Sequence, residues 1–201
     1  MHVIIDYGMG NLASVQRAFE KLDVETVISS KREDIINAKS LILPGVGAFR
    51  DAIKSLNDLN LASVIKEEVS KGKYIIGICL GMQLLYQRGY EYGDYEGLGL
   101  INGSIKYLDV NLKIPHMGWN NLKFKKDDPI LKYIKENEYV YFVHSYYADS
   151  DNSELLAYAE YEKLVPAIVR NKNVYGIQFH PEKSGETGLN ILRAYKEIIE
   201  K

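Results

Sequence analysis

Cysteine, an excess of charge of one sign and long apolar runs are all nearly missing from this chain. Cys79 is the only cysteine in 201 residues. No disulfide can therefore close within the chain, which suits a reducing compartment. Lysine and arginine together number 25 against 27 aspartates and glutamates, a net charge of −2. That balance gives no electrostatic reason to expect nucleic acid or a membrane surface as partner. No stretch approaches the ~20 apolar residues that cross a bilayer. From Met1 the chain enters a strand-like His2-Val3-Ile4-Ile5 with no basic segment ahead of an apolar one, so a cytoplasmic location is expected. The four histidines are dispersed and no cluster has metal-ligand spacing, so neither a metal nor a cofactor is expected.

What is present reads as one α/β domain over residues 1–201. Val3-Ile4-Ile5, Val24 to Ile28, Leu41-Ile42-Leu43 and Tyr74 to Ile78 read as strands. Between them, Leu12, Val15, Phe19 and Leu22 mark a helical face, and helical spacing recurs over 31–38, 49–56 and 61–69. Strict alternation of strand and helix predicts a largely parallel sheet covered on both faces, with its chemistry at the carboxyl ends of the strands. Tyr90 to Gly103, rich in glycine and tyrosine, reads as loop. Strand candidates follow at 104–108, 122–124, 139–143, 155–161, 165–169 and 174–178, several of them antiparallel additions at one edge. An amphipathic helix over 184–201 closes the chain.

The chemistry gathers on Tyr74 to Tyr86. An apolar strand runs into Gly77-Ile78-Cys79-Leu80-Gly81 and continues at helical spacing through Leu80, Gln83 and Leu84. A glycine on either side of Cys79 suits a sharp strand-to-helix turn that exposes the central side chain. Alone, a lone cysteine reads as a small apolar core residue; this frame points to a nucleophile instead. A nucleophile needs a base, and the base needs an orienting group. His180 in Gln178-Phe179-His180-Pro181-Glu182 follows a strand at the same sheet edge, and Glu182 can turn back to hold it. Without the elbow, H-P-E would equally be a surface turn. His2, at the start of the first strand, reads as structural. Gly8-Met9-Gly10-Asn11-Leu12-Ala13 matches a dinucleotide-binding turn, but Ser29 and Ser30 stand where its acidic partner belongs, which argues against that reading.

Pro44-Gly45-Val46-Gly47, Gly77 to Gln83 and Gln178 to Ser184 together resemble the triad-type, or class I, glutamine amidotransferases. The resemblance covers nearly the whole chain. It implies a Cys79–His180–Glu182 triad that hydrolyses the side-chain amide of glutamine through a glutamyl thioester. It also implies an oxyanion hole from the amide of Leu80 and one within Gly45-Val46-Gly47, drawn from Val46 or Gly47. Gly45, Gly47, Gln83, His144, Ser145 and Tyr146 would contact the glutamine. His144 by itself could equally be a satisfied core histidine.

Three further stretches, 6–12, 115–120 and 141–146, resemble one branch of that family, the glutaminase subunits of imidazole glycerol phosphate synthase in histidine biosynthesis. That branch implies a heterodimer with a separate (β/α)8-barrel cyclase, and Asn11, Trp119, Tyr141 and Lys183 on the interface or ammonia route. From the residues alone, Trp119 and Tyr141 read equally as interface anchors or buried aromatics. The resemblance further implies a switch in which ligand binding to the barrel adjusts residues 45–47. The chain contains no G-x-x-x-x-G-K-[ST], so the ammonia-accepting half would reside in the partner. Alternatives are a glutaminase serving anthranilate, aminodeoxychorismate or pyridoxal phosphate synthesis, or a scaffold subunit.

Overall fold

The computed structural model describes residues 1–200. The first half alternates β1 (His2–Ile5), α1 (Leu12–Glu20), β2 (Thr26–Ser29), α2 (Arg32–Asn37), β3 (Ser40–Gly45), α3 (Phe49–Asp58), α4 (Leu61–Ser70) and β4 (Tyr74–Cys79). A short α5 (Leu80–Leu84) follows directly, then β5 (Tyr86–Gly89), β6 (Tyr95–Glu96), β7 (Ile101–Tyr107), β8 (His116–Asn121) and β9 (Lys123–Phe124). The chain ends with β10 (Tyr139–His144), β11 (Tyr146–Asp149), β12 (Leu155–Glu160), β13 (Leu164–Asn171), β14 (Val174–Ile177) and α6 (Gly185–Ile199).

Eight strands make the main sheet in the order β2-β1-β3-β4-β14-β13-β12-β9. The first five are parallel, and β13, β12 and β9 add to the edge antiparallel. The central strands are apolar on both faces because helices cover both. Val3, Ile5, Leu41, Leu43 and Ile75 pack with Phe49, Leu56, Val64 and Ile65 of α3 and α4. Their alternates Ile4, Ile42, Ile76 and Ile78 pack with Val15 and Phe19 of α1 and with Ile191, Leu192 and Tyr195 of α6. The expected α/β architecture with an antiparallel edge is present.

The second half departs from the sequence reading. Residues 90–103 are not simply loop, since β6 and the start of β7 lie there. They belong to a four-stranded sheet, β11-β7-β5-β6, whose bonds join residues as distant as Tyr107 and Tyr146. Pairing of that kind leaves no local periodicity to read. A separate two-stranded ribbon joins β10 to β8, and β5, β8 and β11 are not among the expected strands.

The layout brings three motifs to one edge. Gly45 at the end of β3 pairs with Cys79 at the end of β4, while β14 runs beside β4 and ends at Ile177, paired with Ile78.

Candidate active site

Cys79 occupies a backbone conformation that side chains avoid, with φ 55° and ψ −112°. Two close approaches hold it there. A Cβ on Gly81 would lie 1.7 Å from the Leu43 carbonyl oxygen, and one on Gly77 2.6 Å from the Gly81 oxygen. Only hydrogen lets α5 turn this tightly onto β3 and β4. A strained residue of this kind costs about 1–3 kcal/mol, carried by the surrounding packing. The Cys79 sulfur lies 3.9 Å from the Val143 carbonyl. The amide of Leu80 opens α5, where first-turn N–H groups lack helical partners.

His180 follows β14, and its Nδ1 lies 2.7 Å from Oε1 of Glu182. Both side chains are buried, at 4% and 2% exposure. Burial alone would lower the His180 pKa; the neighbouring Cys79 sulfur and the Glu182 carboxylate outweigh it and raise the value to about 9. Nδ1 is committed to the carboxylate, and Nε2 has no hydrogen-bond partner among the described residues. The backbone is pinned as well. The His180 amide donates to the Tyr141 carbonyl at 2.9 Å, and the Ser184 hydroxyl donates to the His180 carbonyl at 2.6 Å.

A cavity of about 270 Å³ opens over these groups. Cys79, His180, Leu80, Val46, Gly47, Gln83, His144, Ser145 and Tyr146 line it, so most of the residues singled out in the sequence meet there. Gly45 does not line it; a Cβ there would strike the Tyr7 hydroxyl at 2.3 Å, so its glycine serves packing beneath the cavity floor. Gly47 has φ 105°. Asn11 lies outside the cavity and caps α1, accepting from the Ser14 amide at 3.4 Å. Trp119 and Tyr141 meet edge-on with ring centres 6.0 Å apart. Trp119 is 57% exposed and so is no core aromatic. Lys183 is exposed in the turn directly after Glu182.

Glu91 is a lining residue that sequence reasoning missed. Its Oε2 accepts the Phe49 amide at 2.8 Å at the start of α3. Burial raises its carboxyl pKa, partly offset by that hydrogen bond. It is the only acidic side chain among the cavity residues.

His144 stands in a chain of hydrogen bonds whose direction is fixed by its ends. The Tyr146 carbonyl can only accept, so His144 Nδ1, at 2.8 Å, carries the proton. His144 Nε2 then accepts from His116 Nδ1 at 2.9 Å, and His116 Nε2 accepts from Asn120 Nδ2 at 3.2 Å. Burial lowers His116 to a pKa of about 4; burial, with His116 adding to it, lowers His144 to about 3. Both imidazoles are neutral, and both His144 nitrogens are occupied. His180 is thus the one cavity histidine with a free ring nitrogen. His116 is additionally stacked between Phe142 and Tyr161, at 4.5 and 4.1 Å.

The comparisons with known proteins agree with this arrangement. The family model described as glutamine amidotransferase class-I matches residues 3–195. The chain is 52% identical over 200 residues to the imidazole glycerol phosphate synthase subunit HisH of Oceanobacillus iheyensis, covering 99% of this chain and 100% of that one. It is also 52% identical to the subunit of the same name from Lactococcus lactis, covering 98% of each. A crystal structure of a glutamine amidotransferase shares the fold with a TM-score of 0.78 at 19% identity, covering 99% of both chains. The chain therefore belongs to the class I glutamine amidotransferases, enzymes by family, and within them to the imidazole glycerol phosphate synthase HisH subunits.

Proposed function

We propose that this chain, folded as one glutaminase domain in the cytoplasm, hydrolyses glutamine with a Cys79–His180–Glu182 triad. The ammonia passes directly to a (β/α)8-barrel cyclase with which the chain forms a heterodimer. In this reading the cyclase makes imidazole glycerol phosphate and aminoimidazole carboxamide ribotide. The observation that carries the proposal is the strained Cys79 elbow beside a buried imidazole whose Nδ1 is held by Glu182 at 2.7 Å.

The chemistry follows from that arrangement. Glutamine lies with its carboxamide over Cys79. His180 Nε2 carries the thiol proton as sulfur bonds to the carboxamide carbon, and the carbonyl electrons move onto oxygen. That oxyanion is stabilised by the Leu80 amide and by an amide of the Val46-Gly47 strip. His180 returns the proton to the departing nitrogen, the C–N bond breaks and ammonia leaves. Water, deprotonated by His180, then hydrolyses the thioester to glutamate and restores the thiol. Glu182 keeps Nδ1 protonated and stabilises the imidazolium throughout. Gly47, Gln83, His144, Ser145 and Tyr146 surround the substrate head group, over a floor shaped by Gly45, and the Glu91 carboxylate meets the α-ammonium. Free ammonia in neutral water is mostly protonated and no longer nucleophilic, which favours a closed path to the acceptor. Asn11, Trp119, Tyr141 and Lys183 would lie along the partner face. No metal or cofactor enters the mechanism.

The test is glutamate release from glutamine by the chain alone and with the barrel cyclase and its ligand. Stimulation by the liganded cyclase, abolished by Cys79→Ala, is expected if residues 45–47 respond to the partner. A lone chain already running at the complexed rate would remove the switch, and no release under either condition would remove the triad.

A further inference from the structure

The side chain of Gln83 has only one hydrogen-bonding atom to offer a ligand. Its Nε2 lies 2.9 Å from the Tyr146 carbonyl and 3.1 Å from Oε1 of Gln178. The Tyr146 carbonyl can only accept, so the nitrogen of Gln83 must face it, which fixes the orientation of this amide. The second N–H is committed to Gln178. Only Oε1 of Gln83 remains free, on a residue that lines the cavity together with Glu91.

Gln178 meets no ligand itself. It is fully buried and does not line the cavity. Its own Nε2 is buried without a hydrogen-bond partner among the described residues. A buried side chain of the same length without that amide would carry no such unpaired group. Gln178 directly follows β14 and precedes His180 by two residues.

We infer that Gln178 is a specificity-setting positioning residue: by holding Gln83 Nε2, it turns Gln83 Oε1 toward the substrate and makes the site require a free α-ammonium group. An ammonium needs acceptors, and Gln83 Oε1 and the Glu91 carboxylate, on two residues that line the same cavity, supply them. A Gln83 amide free to present its NH2 would repel that cation. The inference rests on the glutaminase reading above.

The discriminating pair is glutamine and glutaramic acid, which is glutamine without its α-amino group. The complex with the barrel cyclase and its ligand is assayed for released glutamate or glutarate. The wild-type chain is expected to prefer glutamine by about 100-fold in kcat/KM, the scale of hydrogen bonds to a charged group. In Gln178→Met, or Gln178→Leu should the former not fold, KM for glutamine rises about tenfold, kcat stays within about threefold, and the preference falls about tenfold. Gln178→Glu, which keeps the acceptor, restores the preference. Adding Gln178→Met to Gln83→Met gives no further loss, because the two act as one unit. Unchanged preference in a folded Gln178→Met, or equal loss for both substrates, overturns the inference while leaving the glutaminase reading intact. No dicarboxylate from either substrate with the wild-type complex overturns both.

Discussion

At Cys79 the backbone does the chemical work of presenting sulfur, and two hydrogens make it possible. Gly81→Ala places a methyl against the Leu43 carbonyl with no flexible atom to give way. We expect a loss of at least about 2 kcal/mol in stability, within the range for strain and overpacking, and glutamate release near that of Cys79→Ala. Gly72, at φ 100° with open space around its Cβ position, is the control. Gly72→Ala is expected to cost about 1 kcal/mol from left-handed strain alone and to leave glutamate release unchanged. Denaturant unfolding and the glutaminase assay separate the two. The same scale explains what could be read in advance. Cys79 sits in Gly77 to Gly81 and His180 with Glu182 in Gln178 to Glu182, short frames after strands whose ends can be placed at one sheet edge from the sequence. Glu91 sits in a glycine- and tyrosine-rich stretch, and only the fold carries it to the Phe49 amide and the cavity. If its carboxylate meets the substrate ammonium, Glu91→Gln raises KM for glutamine about 10- to 100-fold with a smaller change in kcat, as steady-state assays would show.

Among the elements, the parallel half was legible because its strands are continuous apolar runs between helices of regular period. The ribbon of β8 and β10 was only half legible. Tyr139 to His144 alternates visibly, whereas His116-Met117-Gly118-Trp119-Asn120-Asn121 contains glycine and asparagines that strands disfavour. Its register places His116, Asn120, Val140, Phe142 and His144 on one face, which the protein buries around two neutral histidines. That has a pH consequence. His116 and His144 titrate near 4 and 3 when folded, against an ordinary value of 6.5. Below pH 6.5 the unfolded chain takes up protons that the folded one refuses, so stability falls as pH drops from 6.5 toward 4. His180 acts oppositely. Its folded value of about 9 means that its contribution is full below 6.5 and is lost as pH rises from 6.5 to 9. Unfolding free energy measured from pH 4 to 9 should therefore peak near 6.5. Replacing His116 by Phe should make the acid side shallower by up to about 3 kcal/mol, at roughly 1.4 kcal/mol per pKa unit. An acid side as steep as in the wild type would show that these histidines are not held neutral.

For the whole molecule, the outward face of that ribbon matters most. Met117, Trp119 and Tyr139 are 54, 57 and 58% exposed, a concentration of large apolar groups on one narrow surface. Trp119 pairs across the ribbon with Tyr141, and the Tyr141 carbonyl accepts the backbone amide of His180. One strand thus presents aromatic surface outward and fixes the proposed base inward. A partner seated on this face would press on the strand that positions His180. Aromatic anchors at interface centres each commonly contribute 2 kcal/mol or more. We therefore expect Trp119→Ala to weaken binding of the barrel cyclase by about 30-fold or more, measured by calorimetry. The same change removes little buried surface from the free chain, so its melting temperature and unstimulated glutamate release should stay near wild type. Reduced stimulation with intact basal turnover would locate the contact on this ribbon. Unaltered cyclase affinity would move the interface elsewhere and leave Trp119 exposed for another reason.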